Sequence, residues 1–320
     1  MVLESSGGQY NSFAELFSVS KKVDDLGLRL SVEDSQSSGF REDTDYKNFT
    51  ASFVSSFDLP TGAFDLDFGY QDKEFGAYDF YTPGQGYLSK EWTKTYLLNS
   101  GLNLEKDGLL IKPNFLWRRH YDKFALDKTQ VRSKYLSHHR NDTFTPNIYI
   151  QKDTGVIGKV GLGLEYGQER IDSTTLGEHK RDHKSIFIDD AYEVNDKLIF
   201  GLSFRTDDFD GFNDMYTGSL SLKYEVYKSN FLHFNLSRSM RAPSFTELYY
   251  SDPTTVGSSS LSAESAINYE IGYELKKQKF ILGSNIFLRQ EDDAIDWVKT
   301  SSSQTKWQAQ NISGTQSFGI

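Results

Sequence analysis

The 320-residue chain has no cysteine and only six prolines. The first absence removes disulfide frameworks, zinc–thiolate sites and cysteine nucleophiles. The second leaves long stretches free to run as unbroken hydrogen-bonded ladders. No window approaches the roughly 18 apolar residues that a membrane-spanning helix needs. No basic block dominates any segment, and the formal charge is −10, which argues against a dedicated nucleic-acid binder. No serine sits in a G-x-S-x-G context, and no Ser/His/Asp spacing marks a nucleophile. Residues 1–8 (MVLESSGG) show no cationic n-region or apolar h-region of a signal peptide. What is abundant is aromatic: 24 Phe and 19 Tyr bring that class to 15%, beside 25 glycines. A mean hydropathy of −0.56 describes a soluble protein by averaging. That average fails for a β-barrel, whose lipid-facing and lumen-facing positions alternate and cancel.

Period-two alternation runs through the chain. Leu26, Leu28, Leu30 and Val32 share one face, with Gly27, Arg29, Ser31 and Glu33 on the other. The same pattern recurs around Phe49–Phe57, Phe64–Tyr70, Val160–Tyr166, Leu198–Phe204, Gly218–Val226 and Ile267–Leu275. With weaker runs this predicts about fourteen strands and a truncated fifteenth at 306–320. No stretch shows a 3.6-residue period with caps. Tight polar turns fall at 21–25, 58–62, 105–108, 152–155, 195–197, 228–230 and 276–279. Long polar connections at 34–46, 72–91, 123–142, 168–183, 206–214, 240–265 and 290–305 alternate with them. Membrane barrels sort their loops this way, because one set only reverses the chain while the other reaches outward; a soluble sandwich has no reason to. The predicted fold is all-β, a transmembrane antiparallel β-barrel. Phe57, Tyr70, Trp92 and Tyr166 are expected at the membrane interfaces.

The stretch Arg241-Ala-Pro-Ser-Phe-Thr-Glu-Leu-Tyr-Tyr250 resembles the strand end and aromatic loop of TonB-dependent receptors. Leu261-Ser-Ala-Glu-Ser-Ala-Ile-Asn-Tyr-Glu-Ile-Gly272 is similar to the Leu-x-x-Glu-x-x-x-x-Tyr-Glu-x-Gly opening of that family's next strand. Asp292-Asp-Ala-Ile-Asp-Trp297 and Gln310-Asn-Ile312 then follow in family order. The nearest flavour is the subgroup of vitamin B12 and ferric-siderophore receptors. The resemblance implies an outer-membrane active importer of a cobalamin or a ferric siderophore. It also implies a barrel of about 22 strands around a plug, powered by the TonB–ExbB–ExbD complex through an N-terminal box. Residues 1–320 would then be a partial barrel domain, without the plug and the final strands. The competing reading is a passive diffusion porin of about sixteen strands. A barrel enzyme would need a fixed acid, base and nucleophile set.

Candidate sites follow. Phe75, Tyr78, Phe80, Tyr81 and Tyr87, set among Gly76, Gly84 and Gly86, suit stacking against a planar or hydrophobic chelate, or packing of their own loop. Asp208, Asp210, Asn213 and Asp214 alternate around Gly211 as hard oxygen ligands of a structural calcium do, or as a solvated acidic tip; no other cofactor is expected. His138, His139, His179 and His183 are either metal ligands or exposed loop histidines. Trp117-Arg118-Arg119-His120 could draw in an anionic ligand, meet outer-membrane lipid and lipopolysaccharide phosphates, or form lumenal ion pairs. Arg241, Pro243, Phe245 and Tyr249 belong to the family motif and read as structural, Pro243 ending a strand because it cannot donate to the ladder.

Overall fold

The computed structural model describes residues 1–80, 84–130, 136–252 and 254–320. In chain order the first strands are β1 (Val2–Gly7), β2 (Phe13–Val23), β3 (Leu26–Ser37), β4 (Tyr46–Leu59), β5 (Gly62–Gly76), β6 (Lys90–Lys106), β7 (Leu109–Ala125), β8 (Leu136–Asp153), β9 (Lys159–Ser173) and β10 (Gly177–Asn195). There follow β11 (Leu198–Phe209), β12 (Met215–Tyr227), β13 (Asn230–Arg241), a single helical turn α1 (Phe245–Tyr249), β14 (Thr255–Val256), β15 (Glu264–Lys277), β16 (Phe280–Asp292), β17 (Ala294–Val298), β18 (Trp307–Ile312) and β19 (Thr315–Gly319). Sixteen strands form one sheet in the order β1 to β13, then β15, β16 and β19; β14, β18 and β17 make a second, small sheet. No helix of the described residues is long and apolar enough to cross a membrane, which says nothing of a β-barrel.

The chain forms two compact units. The first comprises Met1–Glu105, Lys112–Pro146 and Gly167–Lys180; the second comprises Lys106–Ile111, Asn147–Tyr166 and Arg181–Ile320. In the first, register sets apolar against apolar: Val19 opposes Leu30, then Phe53, Phe68 and Leu98. The neighbouring row is Ser18, Ser31, Ser52 and Gly69, with the Ser18 and Ser31 hydroxyls 2.8 Å apart. In the second unit Leu202, Leu220, Leu236, Tyr269, Leu288 and Phe318 form one row. Beside it run Asp189, Ser203, Ser219, Ser237, Asn268, Arg289 and Ser317. A one-residue slip would exchange the two faces, so this alternation pins the register.

The apolar face is not a core. Leu202 is 51% exposed and Ile271 59%, whereas the buried apolar residues, such as Leu176, Met215, Leu248 and Leu261, lie in or beside the outer connections. Apolar rows of this extent left uncovered exceed what a water-soluble monomer tolerates. They fit a sheet whose solvent on that face is hydrocarbon.

The short turns lie where the sequence places them. Asp107 and Gly108 both take positive φ, 50° and 69°, the left-handed pair that a two-residue hairpin requires. The other connections differ from expectation. The stretch 168–183 is not a long loop: β9 and β10 continue through most of it and are joined by 174–176 alone. The stretch 206–214 likewise shrinks to 210–214. Beyond the hydrocarbon a hairpin no longer needs apolar alternation, and cross-strand charge such as Arg170–Glu178 at 3.3 Å accompanies the ladder instead. That loss of alternation is what made these strand extensions read as loops. Three further differences are the polar strand β1, the helical turn α1, and the division of 306–320 into β18 and β19.

The two faces predict opposite tolerance. Leu220→Arg, in the middle of an apolar row, should destabilise the folded protein by about 2–4 kcal/mol. Ser219→Asn on the polar face should cost no more than its one hydroxyl contact, about 1 kcal/mol. Urea titration in lipid vesicles, read by tryptophan fluorescence, measures both, and equal losses would contradict the face assignment.

Candidate functional site

The outer connections of the second unit are assembled by the motif residues themselves. Arg241, the last residue of β13, holds Glu264 at the start of β15 through Nε (2.7 Å) and Nη2 (3.0 Å). The same guanidinium reaches Glu247 in α1 at 2.9 and 3.0 Å. Glu247 also closes a capping box. Its carboxylate accepts the Ser244 backbone N–H at 2.6 Å, while Ser244 Oγ accepts the Glu247 N–H at 3.2 Å. Pro243 is fully buried, and its carbonyl accepts a hydrogen bond from Arg181 at 2.7 Å. The Arg181 guanidinium also lies 5.2 Å from the Phe245 ring centre and 5.3 Å from that of Phe209. Phe245 stacks on Tyr249 at 6.3 Å.

The remaining motif pieces close the same structure. Leu248, Leu261 and Ala309 are buried together, with Phe212, Ile295 and Trp297 packed against them. The Ile295 N–H donates to Glu264 at 3.0 Å. Asn311 donates to the carbonyls of Ser262 and Asp293 and accepts the Ser262 N–H. Arg-Ala-Pro, Leu-x-x-Glu, Ile-Asp-Trp and Gln-Asn-Ile are thus four sides of one small core above the sheet. The motif residues bond and pack against one another across these connections.

The aromatic candidates lie on a second assembly, in the first unit. Asp79, at φ 56°, accepts the backbone N–H groups of Gly84 (2.7 Å), Gln85 (3.0 Å) and Gly86 (2.9 Å). These bonds, Gly84's foremost, hold its carboxyl below the ordinary carboxylate range. The loop they cinch shows Phe80 to solvent at 73% exposure, with Tyr78 and Tyr87 half-buried. Phe75, next to last in β5, has the Lys73 ammonium 4.6 Å from its ring centre. Tyr81 lies outside the described residues. Arg41, from the β3–β4 connection, stands 5.7 Å over the Tyr78 ring. The Tyr78 N–H donates to the Asp43 carbonyl at 3.3 Å. A side chain at Gly76 would strike that same carbonyl. Asp43 is buried in an ion pair with Lys128 of the β7–β8 connection, whose N–H donates to Leu88 O at 2.9 Å. Three successive outer connections are therefore locked into one platform.

The acidic stretch and the histidines are dispersed. Asp210 accepts the Asp182 N–H at 3.3 Å, and Asp214 accepts the Tyr216 hydroxyl at 3.3 Å. Asp208 and Asn213 are exposed. Asp207 is buried under Arg205 (2.9 Å) and Ser185. Among the described residues no three His, Asp or Glu side chains converge on a metal position. His138 and His139 are neighbours on one strand and so face opposite ways; His139 Nδ1 lies 2.8 Å from Ser173 Oγ. His179 lies 2.6 Å from the Leu176 carbonyl, and His183 lies 3.4 Å from Glu165 and stacks on Phe209. Arg119 pairs with Asp142 at 2.5 Å, and His120 lies 2.8 Å from Thr95 Oγ1. Arg181 and the Glu165–Arg205–Asp207 cluster were not foreseen, since Arg181 meets Pro243 62 positions away and Glu165 meets His183 and Arg205 18 and 40 positions away. The helical turn was missed as well, although Ser244-Phe-Thr-Glu247 carries the Ser-x-x-Glu signal of its capping box.

The clamp carries a sign for acid. Hydrogen bonds from Arg241 hold the Glu264 carboxyl low. At Glu247 burial pushes upward, but Arg241 and the Ser244 N–H outweigh it, and its carboxyl is low as well. Both carboxyls ionise more readily folded than unfolded. Their contribution is complete above the ordinary value of 4.5 and is lost as pH falls through the lower folded values. Arg241→Met should speed hydrogen exchange at the Leu248 amide at pH 7, with a cost of about 1 kcal/mol for this half-exposed clamp. The difference from the unsubstituted protein should narrow below pH 4, and a difference independent of pH would contradict the ionic clamp.

A family model for "TonB dependent receptor-like, beta-barrel" matches residues 7–320. The chain is 26% identical over 166 residues to the vitamin B12 transporter BtuB of Photobacterium profundum, a match covering 51% of this chain and 27% of that protein. It is 24% identical over 165 residues to BtuB of Vibrio vulnificus, covering 49% and 25%. Among solved structures it resembles a mutant ferric enterobactin receptor, PfeA, of Pseudomonas aeruginosa, with TM-score 0.78, 14% identity, and coverage of 99% of this chain and 58% of that one. It also resembles the hemophore receptor HasR of Serratia marcescens, with TM-score 0.80, 13% identity, and coverage of 99% and 59%. The matched stretch is about a quarter of the curated relatives' length, and the chain spans less than two thirds of the solved receptors. With the alternating rows and the four-part motif core, these matches place the chain in the TonB-dependent receptor β-barrel family.

Proposed function

We propose that the receptor carrying this barrel domain captures a scarce metal chelate on its outer aromatic platform and imports it across the outer membrane. The TonB–ExbB–ExbD complex supplies the work from the inner-membrane proton gradient. The ligand is a cobalamin-type corrinoid or a ferric siderophore. The relatives by sequence are vitamin B12 transporters, which favours the corrinoid. The receptors for siderophore and heme share the fold at 13–14% identity, which carries no ligand. No covalent chemistry is required, and the chain is assigned to transport rather than catalysis.

The observation that carries this reading is the platform. A loop that exposed Phe80 merely through slackness would not be cinched by three backbone hydrogen bonds to Asp79 or tied to two neighbouring connections. Rigid aromatic surface costs little entropy on binding and stacks on planar ligands. A porin needs no such surface, because its solutes pass without being held.

The test uses the full-length receptor and two probes, cyanocobalamin and a ferric catecholate. Phe80→Ala with Tyr78→Ala should weaken saturable binding of one probe about ten-fold. Growth on that nutrient should require an intact TonB system. Failure of both probes to bind the unsubstituted receptor, or uptake without TonB, would remove the reading.

A further inference from the structure

On the polar face of the second unit two aromatic rings lie across one strand. Tyr149 alternates with the exposed Ile148 and Ile150 of β8, and Phe187 with the exposed Ile186 and Ile188 of β10, so both turn away from the lipid side. Between these strands runs β9, whose polar-face positions here are Gly161 and Gly163, alternating with the exposed Leu162 and Leu164. A Cβ at Gly161 would enter the Tyr149 ring, and one at Gly163 the Phe187 ring. The two rings therefore take the space that β9 leaves empty. They are nearly parallel, 6.1 Å apart between centres at 10°, and each stays partly exposed. Since Ile186 and Ile188 meet hydrocarbon, this aromatic shelf lies at membrane depth, below the outer connections.

The shelf is held in place. The Tyr149 hydroxyl donates to Asp189 at 3.0 Å and accepts from Gln151 at 2.9 Å. The Arg205 guanidinium stands 5.6 Å from the Phe187 ring centre and is itself bound by Asp207 at 2.9 Å and Glu165 at 2.6 Å. Beside Phe187 the wall carries a recess of about 460 Å³. Phe187 and Arg205 border it on one side, and the cross-strand row Asp189, Ser203, Ser219 and Ser237 on the other. The charged side chains that the polar face contributes, Asp189 and Arg205, are already engaged. What remains to bond a visitor is hydroxyl, with the Ser203 and Ser219 oxygens 2.8 Å apart.

We infer that the shelf and recess form a transit site for the cargo on the lumen wall, and that it takes a planar macrocycle with an uncharged, amide-bearing rim. A corrinoid has that chemistry and an anionic ferric catecholate does not. Phe187 offers the stacking face, and Ser203, Ser219 and Ser237 bond the amides. With its charges paired internally, the site has no free cation to draw in a polyanion. Few hydroxyl bonds and one ring also suit a site that must release what it holds. The inference rests on the import reading above and names the cargo class within it. A ring laid over a glycine also steadies a sheet, but that role needs neither the recess nor its hydroxyls and does not distinguish one cargo from another.

The test is thiol labelling of the full-length receptor in energised cells, in a background free of other cysteines; the barrel itself has none. Ser219→Cys should react with a small water-soluble methanethiosulfonate, and import of saturating cyanocobalamin should slow that reaction several-fold. A ferric catecholate should leave it unchanged, and Ser52→Cys, on the polar face of the first unit, should react alike with and without cargo. Adding Phe187→Ala should weaken the protection about five-fold, the scale of one stacking contact, and Phe187→Tyr should keep it. Heat-modified gel migration identifies any variant that fails to fold; protection of Ser219→Cys then decides the matter alone. An unreactive Ser219→Cys without cargo would mean that polypeptide covers the recess and would overturn the inference. Equal protection of Ser52→Cys, or equal protection by the catecholate, would overturn it too. Uptake of cyanocobalamin with no protection overturns this inference only, whereas absence of binding and uptake for both probes overturns the import reading beneath it.

Discussion

A peptide N–H or carbonyl facing hydrocarbon has no water to bond, so every backbone polar group at that depth must find its partner in the chain itself. In this protein the requirement is met by ladders between strands, with apolar rows such as Leu202–Leu220–Leu236–Tyr269 turned to one side. The opposite rows, Ser203–Ser219–Ser237 among them, need only be compatible with water. The ladder is thus the fixed frame. What differs along it is where the lipid constraint ceases, and that boundary is where the chain becomes chemically individual. Above Tyr70, Tyr96 and Tyr121 the strands continue, but their side chains change from apolar pairs to ion pairs and aromatic contacts.

The two outer assemblies answer the same problem by different means. Above β13 and β15 a small apolar core, Leu248 with Leu261 and Ala309, is sealed by Arg241. Above β5 and β7 the buried apolar residues among those described are small, Ala77 and Ala125, and the connections are held by polar bonds, with Asp79 gathering three N–H groups and Asp43 gripping Lys128. The first arrangement keeps its aromatic residues partly covered. The second leaves Phe80 exposed while fixing the backbone under it. Exposed aromatic surface on a fixed support is a property of binding surfaces, which is why the platform, and not the motif core, is the better place to look for ligand.

What could be read in the sequence was what repeats. Alternation located most strands and every short turn, because burial in lipid enforces a two-residue period that survives in residues such as Leu26, Leu28 and Leu30. It failed at β1 and at the outer halves of β9 and β10, where the ladder persists but the period does not. The four motif pieces were visible as separate strings. Their meeting was not, since Asn311 and Ser262 are 49 positions apart and nothing local announces the contact. The calcium reading of Asp208, Asp210, Asn213 and Asp214 rested on their spacing around Gly211; in the fold Asp210 accepts the Asp182 N–H and Asp214 the Tyr216 hydroxyl.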